Sequence, residues 1–416
     1  MNLPPEPPVL SCPRDGLPVL VDTPQAYAAA VARLSDGDGP LAVDTERAQS
    51  FRYSSKAYLI QLRRAGAGTV LIDPVALEDG ADRADLSSLA RACICAEWLI
   101  HAATQDLPYL AEVGLRPQRL FDTELAGRLL GYPQVALGTL VERFCGVRLL
   151  KEQSATDWSA RPLSVEQIAY AALDVELLAD LRTVLGDELE AAGKAEWARQ
   201  EFAALVEGAG PPGPPDPERW RHTHGLHAVA GRRGLAVVRE LWSVRDGIAR
   251  ATDRAPGRVL PDAAMVEAAE LVEHVAPGQR VKLGAIAGFH RRVARDYRDR
   301  WEEAVATASR LPAAALPPLR LPADGPPAPR GWQHSHPQAW DRWQAIRPAT
   351  RALAASLEVP VENLVSPRAL RALAWSPPAP ADEAGVAAAL AAAGARPWQC
   401  ELVAPAVTPL LAPARA

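Results

Sequence analysis

Leu41-Ala-Val-Asp-Thr-Glu-Arg-Ala-Gln-Ser50 runs three apolar residues into two acids spaced two positions apart. The apolar start reads as a buried strand. Residues two apart on a strand face the same way, so Asp44 and Glu46 project together from its end. Two carboxylates that close repel each other unless protons or cations neutralise them. The pair is therefore either a solvated strand end or half of a hard-cation site. A D-x-E triplet alone does not choose between the two.

Two later stretches supply partners. Glu97–Ala102 (EWLIHA) reads as a short apolar strand, and Asp106 follows it near the start of a helix. Ser164–Leu181 (SVEQIAYAALDVELLADL) is helical by period, with Ser164 and Gln167 as a capping box and an apolar face of Ile168, Leu173, Leu177, Leu178 and Leu181. On that helix Tyr170 and Asp174 are four residues apart and share a face. Tyr170 is then either a core residue with its hydroxyl on a nearby acceptor or a phenol that orients a reactant. His101 reads as a strand-end residue packed under the site and not a ligand, and Trp158 as core and not a base-stacking platform.

Asp44-Thr45-Glu46, His101-x4-Asp106-Leu107 and Tyr170-x3-Asp174, in that order, resemble the three exonuclease motifs of the DEDD superfamily, in the subclass with a tyrosine in the third motif. Asp157-Trp-Ser-x-Arg161-Pro-Leu163 and Tyr58-Leu-Ile-Gln61-Leu-Arg63 resemble ribonuclease D in particular. The similarity runs over roughly the first 305 residues, with a fainter continuation. It implies an α/β fold, a ribonuclease H-like mixed sheet flanked by helices. The implied activity is metal-dependent 3′-5′ removal of nucleotides from single-stranded or structured RNA 3′ ends, in tRNA or other structured RNA processing. Asp44, Glu46, Asp106 and Asp174 are the implied ligands of two divalent cations, with Asp44 bridging them. Mg²⁺ or Mn²⁺ suits an all-oxygen set, where zinc favours His and Cys. Tyr170 is implied to orient the attacking water; a phenol with a pKa near 10 is a poor base at neutral pH. A DNA 3′-5′ exonuclease would use the same acids. A non-catalytic RNA-binding module would be expected to have lost at least one of them.

The rest of the chain divides at proline. A helix over Asp22–Leu34, antiparallel strands at Ala57–Arg63 and Thr69–Asp73, strands at 97–102 and 118–122, and helices at 123–130 and 137–145 fill out the first unit. The motif helix continues to about Glu207 with a break at Gly193, completing a 1–210 exonuclease domain. Gly208-Ala-Gly-Pro-Pro-Gly-Pro-Pro215 is a linker. Helices at Ala236–Asp253, Asp262–Val272 and Ala285–Thr307, with turns at Arg254–Gly257 and Ala276–Gly278, form an all-helical unit over 216–310. Arg254-Ala-Pro-Gly-Arg-Val-Leu-Pro-Asp262 and Ile286-Ala-Gly-Phe289 in it resemble the HRDC domain. Arg280, Lys282, Arg291, Arg292 and Arg295 cluster there, either as a solvated face or as contacts to an RNA backbone. After a second Pro-rich stretch at Pro312–Pro329, residues 330–416 are either a second, diverged HRDC-like helical region or a stabilising helical tail.

Charge follows this division. The 416 residues carry a net −5. Residues 1–210 hold −11, residues 211–310 +4 and residues 311–416 +2. The proposed cation site thus lies in the acidic part, and the potential that attracts phosphate lies beyond it. No apolar run reaches the roughly 18 residues that would suggest a membrane span. Met1–Pro13 lacks the basic and apolar regions of a signal peptide, so a cytoplasmic, monomeric protein is expected. Five scattered cysteines fit reduced thiols better than disulfides or a zinc site.

Overall fold

The computed structural model describes residues 6–150, 156–274, 281–321 and 325–411. Arg280 and the expected turn at Ala276–Gly278 lie outside the described residues.

A six-stranded mixed sheet organises the amino-terminal half. Its strands are β2 (Leu20–Val21), β3 (Asp38–Arg47), β4 (Ala57–Ala65), β5 (Gly68–Ile72), β6 (Glu97–Ile100) and β7 (Arg119–Asp122), in the spatial order β2-β5-β4-β3-β6-β7. The β3–β4–β5 meander is antiparallel, while β6 and β7 add parallel to β3. A separate short parallel pair joins β1 (Val9–Leu10) to β8 (Arg148–Leu149). Tight loops allow only antiparallel neighbours, whereas the parallel additions need helical crossovers. Those crossovers are α2 (Ser87–Ala92) before β6 and α3 (Leu107–Glu112) before β7.

Helices cover both faces of the sheet. On one side Val43, Ile60, Leu62, Val70 and Ile72 share a core with Ala30 and Leu34 of α1 (Pro24–Ser35) and with Leu89 of α2. Helix α1 starts where Thr23 accepts a hydrogen bond from the Ala26 N–H and Pro24 opens the first turn. On the other side α6 (Val165–Glu176) crosses β3, β4 and β5. The Ser164–Gln167 capping box fixes its entry, with both reciprocal bonds formed.

The run read as one helix from Ser164 to Leu181 is two. Leu177 leaves the helical region at φ −115°, ψ 9°, and α7 (Leu178–Ala191) sets off in a new direction. The break lets α6 lie on the sheet while α7 packs on α4 (Thr123–Leu129) and α5 (Leu137–Cys145), and Leu173 of α6 and Leu178 and Leu181 of α7 are all buried. One straight helix has one apolar stripe and would not reach both. The expected break at Gly193 (φ +67°) is present, followed by α8 (Ala195–Gly208). Pro211–Pro215 beyond it is exposed.

The helical unit after this linker has its own core, built on α9 (Arg232–Thr252), α10 (Pro256–Val259) and α11 (Asp262–Glu273). The expected Ala285–Thr307 helix is in pieces: short turns at Leu283–Ala285 and Ala287–His290, then α12 (Arg292–Asp296) and α13 (Arg298–Arg310). Packing explains the fragments. Gly288 lies so close to α11 that a Cβ there would meet the Ala264 Cβ at 2.4 Å. The folded-back chain buries Phe289 edge-on to Trp301, with ring centroids 6.2 Å apart, while the Trp301 indole donates to the Ala294 carbonyl at 2.8 Å.

The last segment is also helical, with α14 (Trp332–Ser335), α15 (Pro337–Ser356), α16 (Val361–Leu364), α17 (Pro367–Trp375), α18 (Glu383–Ala392) and α19 (Pro397–Val407). Its buried residues, from Trp332 to Leu411, belong to the same continuous core as the sheet and α8. Trp398 stacks on Trp197 of α8 at 4.7 Å and donates its indole N–H to Glu201.

Candidate active site

β3 ends in Asp44 and Glu46 on the face that α6 covers, and α6 brings Asp174 down onto them. Carboxylate oxygens of Asp44, Glu46 and Asp174 all lie within 4.8 Å of one another. Asp106, the residue immediately before α3, stands beside this trio but is not in it. Its Oδ1 accepts a hydrogen bond from the hydroxyl of Thr45, at 2.5 Å. Thr45 alternates to the opposite side of the strand from Asp44 and Glu46, so three consecutive residues of β3 present two acids and tether a third.

The electrostatics are those of an overcrowded acidic site. Burial pushes the Asp44 carboxyl well above the ordinary carboxylate range, and Asp106, Asp174 and Glu46 push it further. Burial raises Glu46 to about 9, reinforced by Asp174 and Asp106. Asp174 is raised by burial and by Asp106, and Asp106 by burial against the opposing pull of the Thr45 hydrogen bond. The four titrate as one unit. Such a cluster binds protons or cations, and an all-oxygen donor set with no nitrogen or sulfur suits a hard divalent ion. The residues therefore fit the metal that the DEDD resemblance implies.

Tyr170 sits half-buried one helical turn before Asp174. Its ring leans on Trp158 at 6.1 Å between centroids, and its hydroxyl has no hydrogen-bond partner among the described residues. Burial, then Asp174, Glu46 and Asp44, raise its pKa above the ordinary phenol value, so the group stays a protonated donor. Trp158 is 1% exposed, a core residue as expected. His101 is likewise outside the acidic cluster. Its Nδ1 lies 2.9 Å from the Thr123 hydroxyl, and burial lowers its pKa to about 4, so it is neutral at physiological pH.

Of two supporting residues, Asp122 escaped the sequence reading, and Arg161 entered it only as part of the Asp157–Leu163 resemblance. Asp122 accepts from the backbone N–H groups of Ala102, Ala103, Glu124 and Leu125, capping α4 and bracing the turn that leads to Asp106. Ala102 in that turn has φ +61°, a strained conformation for a residue with a Cβ that the carboxylate holds in place. The signal was an Asp directly before a helix start, legible as a cap but not as a brace for the neighbouring turn. Arg161 ties the 157–163 loop down, donating to Asp73 at 2.5 Å and to the Tyr58 and Trp158 carbonyls, and so seats Trp158 under Tyr170.

The loop leaving the acidic strand is the dock for the second unit. Ser54 N–H donates to Asp253, Ala255 N–H to the Phe51 carbonyl, and Arg258 to the Ser50 carbonyl while covering the Phe51 ring at 4.2 Å. Tyr53 donates to Asp246, which also accepts from Arg219 at 2.6 Å. Between the two units is an open notch of about 250 Å³ lined by Phe51, Arg52, Asp157, Thr252, Asp253, Arg254 and Arg258. Lys282, Arg291, Arg292 and Arg295 are exposed on the helical unit, and Arg291 reaches the Gly257 carbonyl. These four side chains are outside the acidic floor, and the structure does not bring them to it.

Residues 18–190 match the 3′-5′ exonuclease family, residues 234–305 the HRDC domain, and residues 325–411 the 3′ to 5′ exonuclease C-terminal domain. A protein from Bifidobacterium adolescentis has the same architecture in its crystal structure, with a TM-score of 0.83 at 36% identity over 98% of this chain and 100% of that one. The crystal structure of Escherichia coli RNase D, described as an exoribonuclease involved in structured RNA processing, aligns with a TM-score of 0.65 at 26% identity, over 95% of this chain and 98% of the other. The ribonuclease D of Gluconacetobacter diazotrophicus is 34% identical over 313 residues, which cover 74% of this chain and 76% of that protein. That sequence identity, over about three quarters of both chains, makes this chain a member of the ribonuclease D family.

Proposed function

We propose that Asp44, Glu46, Asp106 and Asp174 hold two divalent cations, Mg²⁺ or Mn²⁺, at which a terminal RNA phosphodiester is hydrolysed. The chain is a 3′-5′ exoribonuclease acting on RNA, as its family is, and it uses divalent metal. The observation that carries the residue assignment is the convergence of three carboxylates from β3 and α6 within 4.8 Å, with Asp106 adjoining. Bound there, the cations would activate water and stabilise the charge on the leaving 3′ oxygen. The chain's own groups do the rest. Asp44, whose carboxyl feels Asp106, Asp174 and Glu46 alike, would serve as a ligand to both cations. Asp106 reaches the site from its Thr45 tether. Tyr170, kept protonated and free of other partners among the described residues, donates its hydroxyl to orient the attacking water.

The three segments divide the work: 1–210 carries the chemistry, 216–310 is an HRDC-like unit, and 330–416 is a helical region that supports the first. Lys282, Arg291, Arg292 and Arg295, with Arg280 beside them in sequence, are assigned to the RNA backbone. Their exposure, and the arginine-lined notch between the two units, support this. Such contacts neutralise phosphates without reading sequence, which suits single-stranded or structured 3′ ends, including tRNA precursors. Among the described residues no helix is long and apolar enough to cross a membrane.

The test uses 5′-labelled RNA and DNA of matched sequence with Mg²⁺, Mn²⁺ or chelator, comparing wild type with Asp174→Asn. Wild type should shorten RNA from the 3′ end only with metal, and Asp174→Asn should bind RNA without cutting it. Near-normal turnover of the variant at saturating Mg²⁺ would remove Asp174 from the ligand set. Equal cutting of DNA would broaden the substrate class.

A further inference from the structure

Gln61 is fully buried, and neither its amide nitrogen nor its amide oxygen has a hydrogen-bond partner among the described residues. An orphaned buried amide is costly, because it gives up water and gains nothing. Its position makes the cost meaningful. In the regular part of the β3–β4 ladder, Gln61 stands directly opposite Asp44. Side chains paired in this way share a face, with Cβ atoms about 4.5–5.5 Å apart, so the amide and the Asp44 carboxylate are within reach of each other. Leu71 is its partner on β5, and Leu59 precedes it on the same face of β4; neither offers a polar atom in its side chain. Arg63, next along that face, is already engaged with Asp15, Thr69 and Glu176.

Resting on the metal-site reading above, we propose that Gln61 is a positioning residue for Asp44: with a cation bound, its amide N–H donates to the Asp44 carboxylate and holds it in the orientation that ligates the ion. An ionised carboxylate has about four lone-pair sites and accepts only. Asp44 has the Thr45 backbone as a donor and three acids as neighbours. A neutral donor is the one kind of partner that steadies its charge without competing with a cation for the site, as a lysine or arginine there would. The amide oxygen has a candidate of its own in the Trp158 indole N–H, a second buried donor without a partner among the described residues. Trp158 packs in the same cluster as Leu59 and Leu71.

The experiment is calorimetric titration of Mn²⁺ into the full chain, paired with thermal unfolding in chelator, for wild type, Gln61→Met and Gln61→Leu. Met matches the length of Gln and fills the same space; Leu is the second variant should Met misfold. Losing an outer partner of a ligand typically weakens metal binding 10–100-fold. The expected result is that loss together with a melting temperature in chelator equal to or above wild type, since the orphaned amide is gone. Unchanged Mn²⁺ affinity would overturn the proposal. So would a parallel fall in affinity and in metal-free melting temperature, which marks a packing residue. Failure of wild type itself to bind Mn²⁺ would instead sink the metal-site reading on which this rests.

Discussion

The two helical segments that follow the sheet are attached to it in opposite ways. Residues 216–310 enclose a core of their own and touch the sheet unit through a polar joint of backbone hydrogen bonds, the Tyr53–Asp246–Arg219 cluster and the Arg258–Phe51 contact. Residues 330–411 have no separate core. Their tryptophans and leucines complete the one that the sheet begins, and buried Lys194 links the Leu129 and Glu358 carbonyls across the boundary. Gly131 meets the Glu358 carbonyl so closely that a Cβ there would lie 2.4 Å from it. A segment joined by polar contacts at its rim is separable; one that fills a neighbour's core is not.

The largest expected effect breaks that comparison outright. Deleting residues 325–411 should leave an insoluble or unfolded chain, because it uncovers the apolar side of α8 and strips the stacking partner from Trp197. Replacing residues 213–321 by a flexible linker should leave a folded, metal-dependent nuclease with a raised KM. Solubility and circular dichroism of the two deletions decide it, and a well-folded first deletion would refute the shared core.

Next in size is a pH effect confined to one of the two cores. Glu46 is raised to about 9 and its acidic neighbours are raised with it. A carboxyl with a raised folded-state pKa contributes stability that is present below its ordinary value near 4 and is lost as pH rises through the folded value. In chelator, the melting transition of the sheet unit with residues 330–411 should therefore fall by several degrees between pH 5 and pH 9. Saturating Mn²⁺ should flatten that dependence, and the transition of residues 216–310 should show neither effect. Scanning calorimetry reads both, and a metal-free transition that rises with pH would contradict the crowded-acid picture.

Single substitutions at the two joints should differ as the joints do. Lys194→Met leaves two carbonyls without their donor and should cost roughly 1–3 kcal/mol of global stability. Tyr53→Phe removes one donor from an Asp246 that keeps Arg219 and Arg250, so it should cost about 1 kcal/mol or less, felt only in the docking of residues 216–310. Denaturant unfolding of both variants makes the comparison; equal losses would erase the distinction between the joints.

The smallest effect lies on the exposed arginine face. Converting Arg291, Arg292 and Arg295 to Ala should leave stability and kcat nearly unchanged, and should lower the salt dependence of RNA binding by about 0.7 in log–log slope for each phosphate no longer neutralised. Binding to metal-ligand variants across a salt series measures it. An unaltered slope would make the face a solvated one.

Local chemistry made much of this legible in advance. The alternation at Asp44 and Glu46, the capping box at Ser164 and the spacing of Tyr170 and Asp174 depend on residues within a few positions of one another. The extended Pro211–Pro215 stretch is likewise a local property of proline, and the chain there is exposed. Periodicity misled where one apolar run serves two partners, as at Leu177, or where close packing breaks a helix, as at Gly288. A truncation at Pro211 would keep every candidate ligand, since none lies beyond Asp174, but it would strip Trp332–Leu411 from the core.

What the sequence determined by itself was therefore the inventory: which acids, in which order, on strand or helix, and where prolines interrupt the chain. Only the tertiary structure decided that Asp106 is tethered to Thr45 and stands beside the trio, that Asp122 braces the turn before it, that Gln61 lies buried opposite Asp44, and that residues 330–411 belong to the first core. Each of these joins residues far apart in the chain, and which of many compatible apolar or polar surfaces meet is set by packing and by the need to satisfy buried polar groups, neither of which any local pattern records.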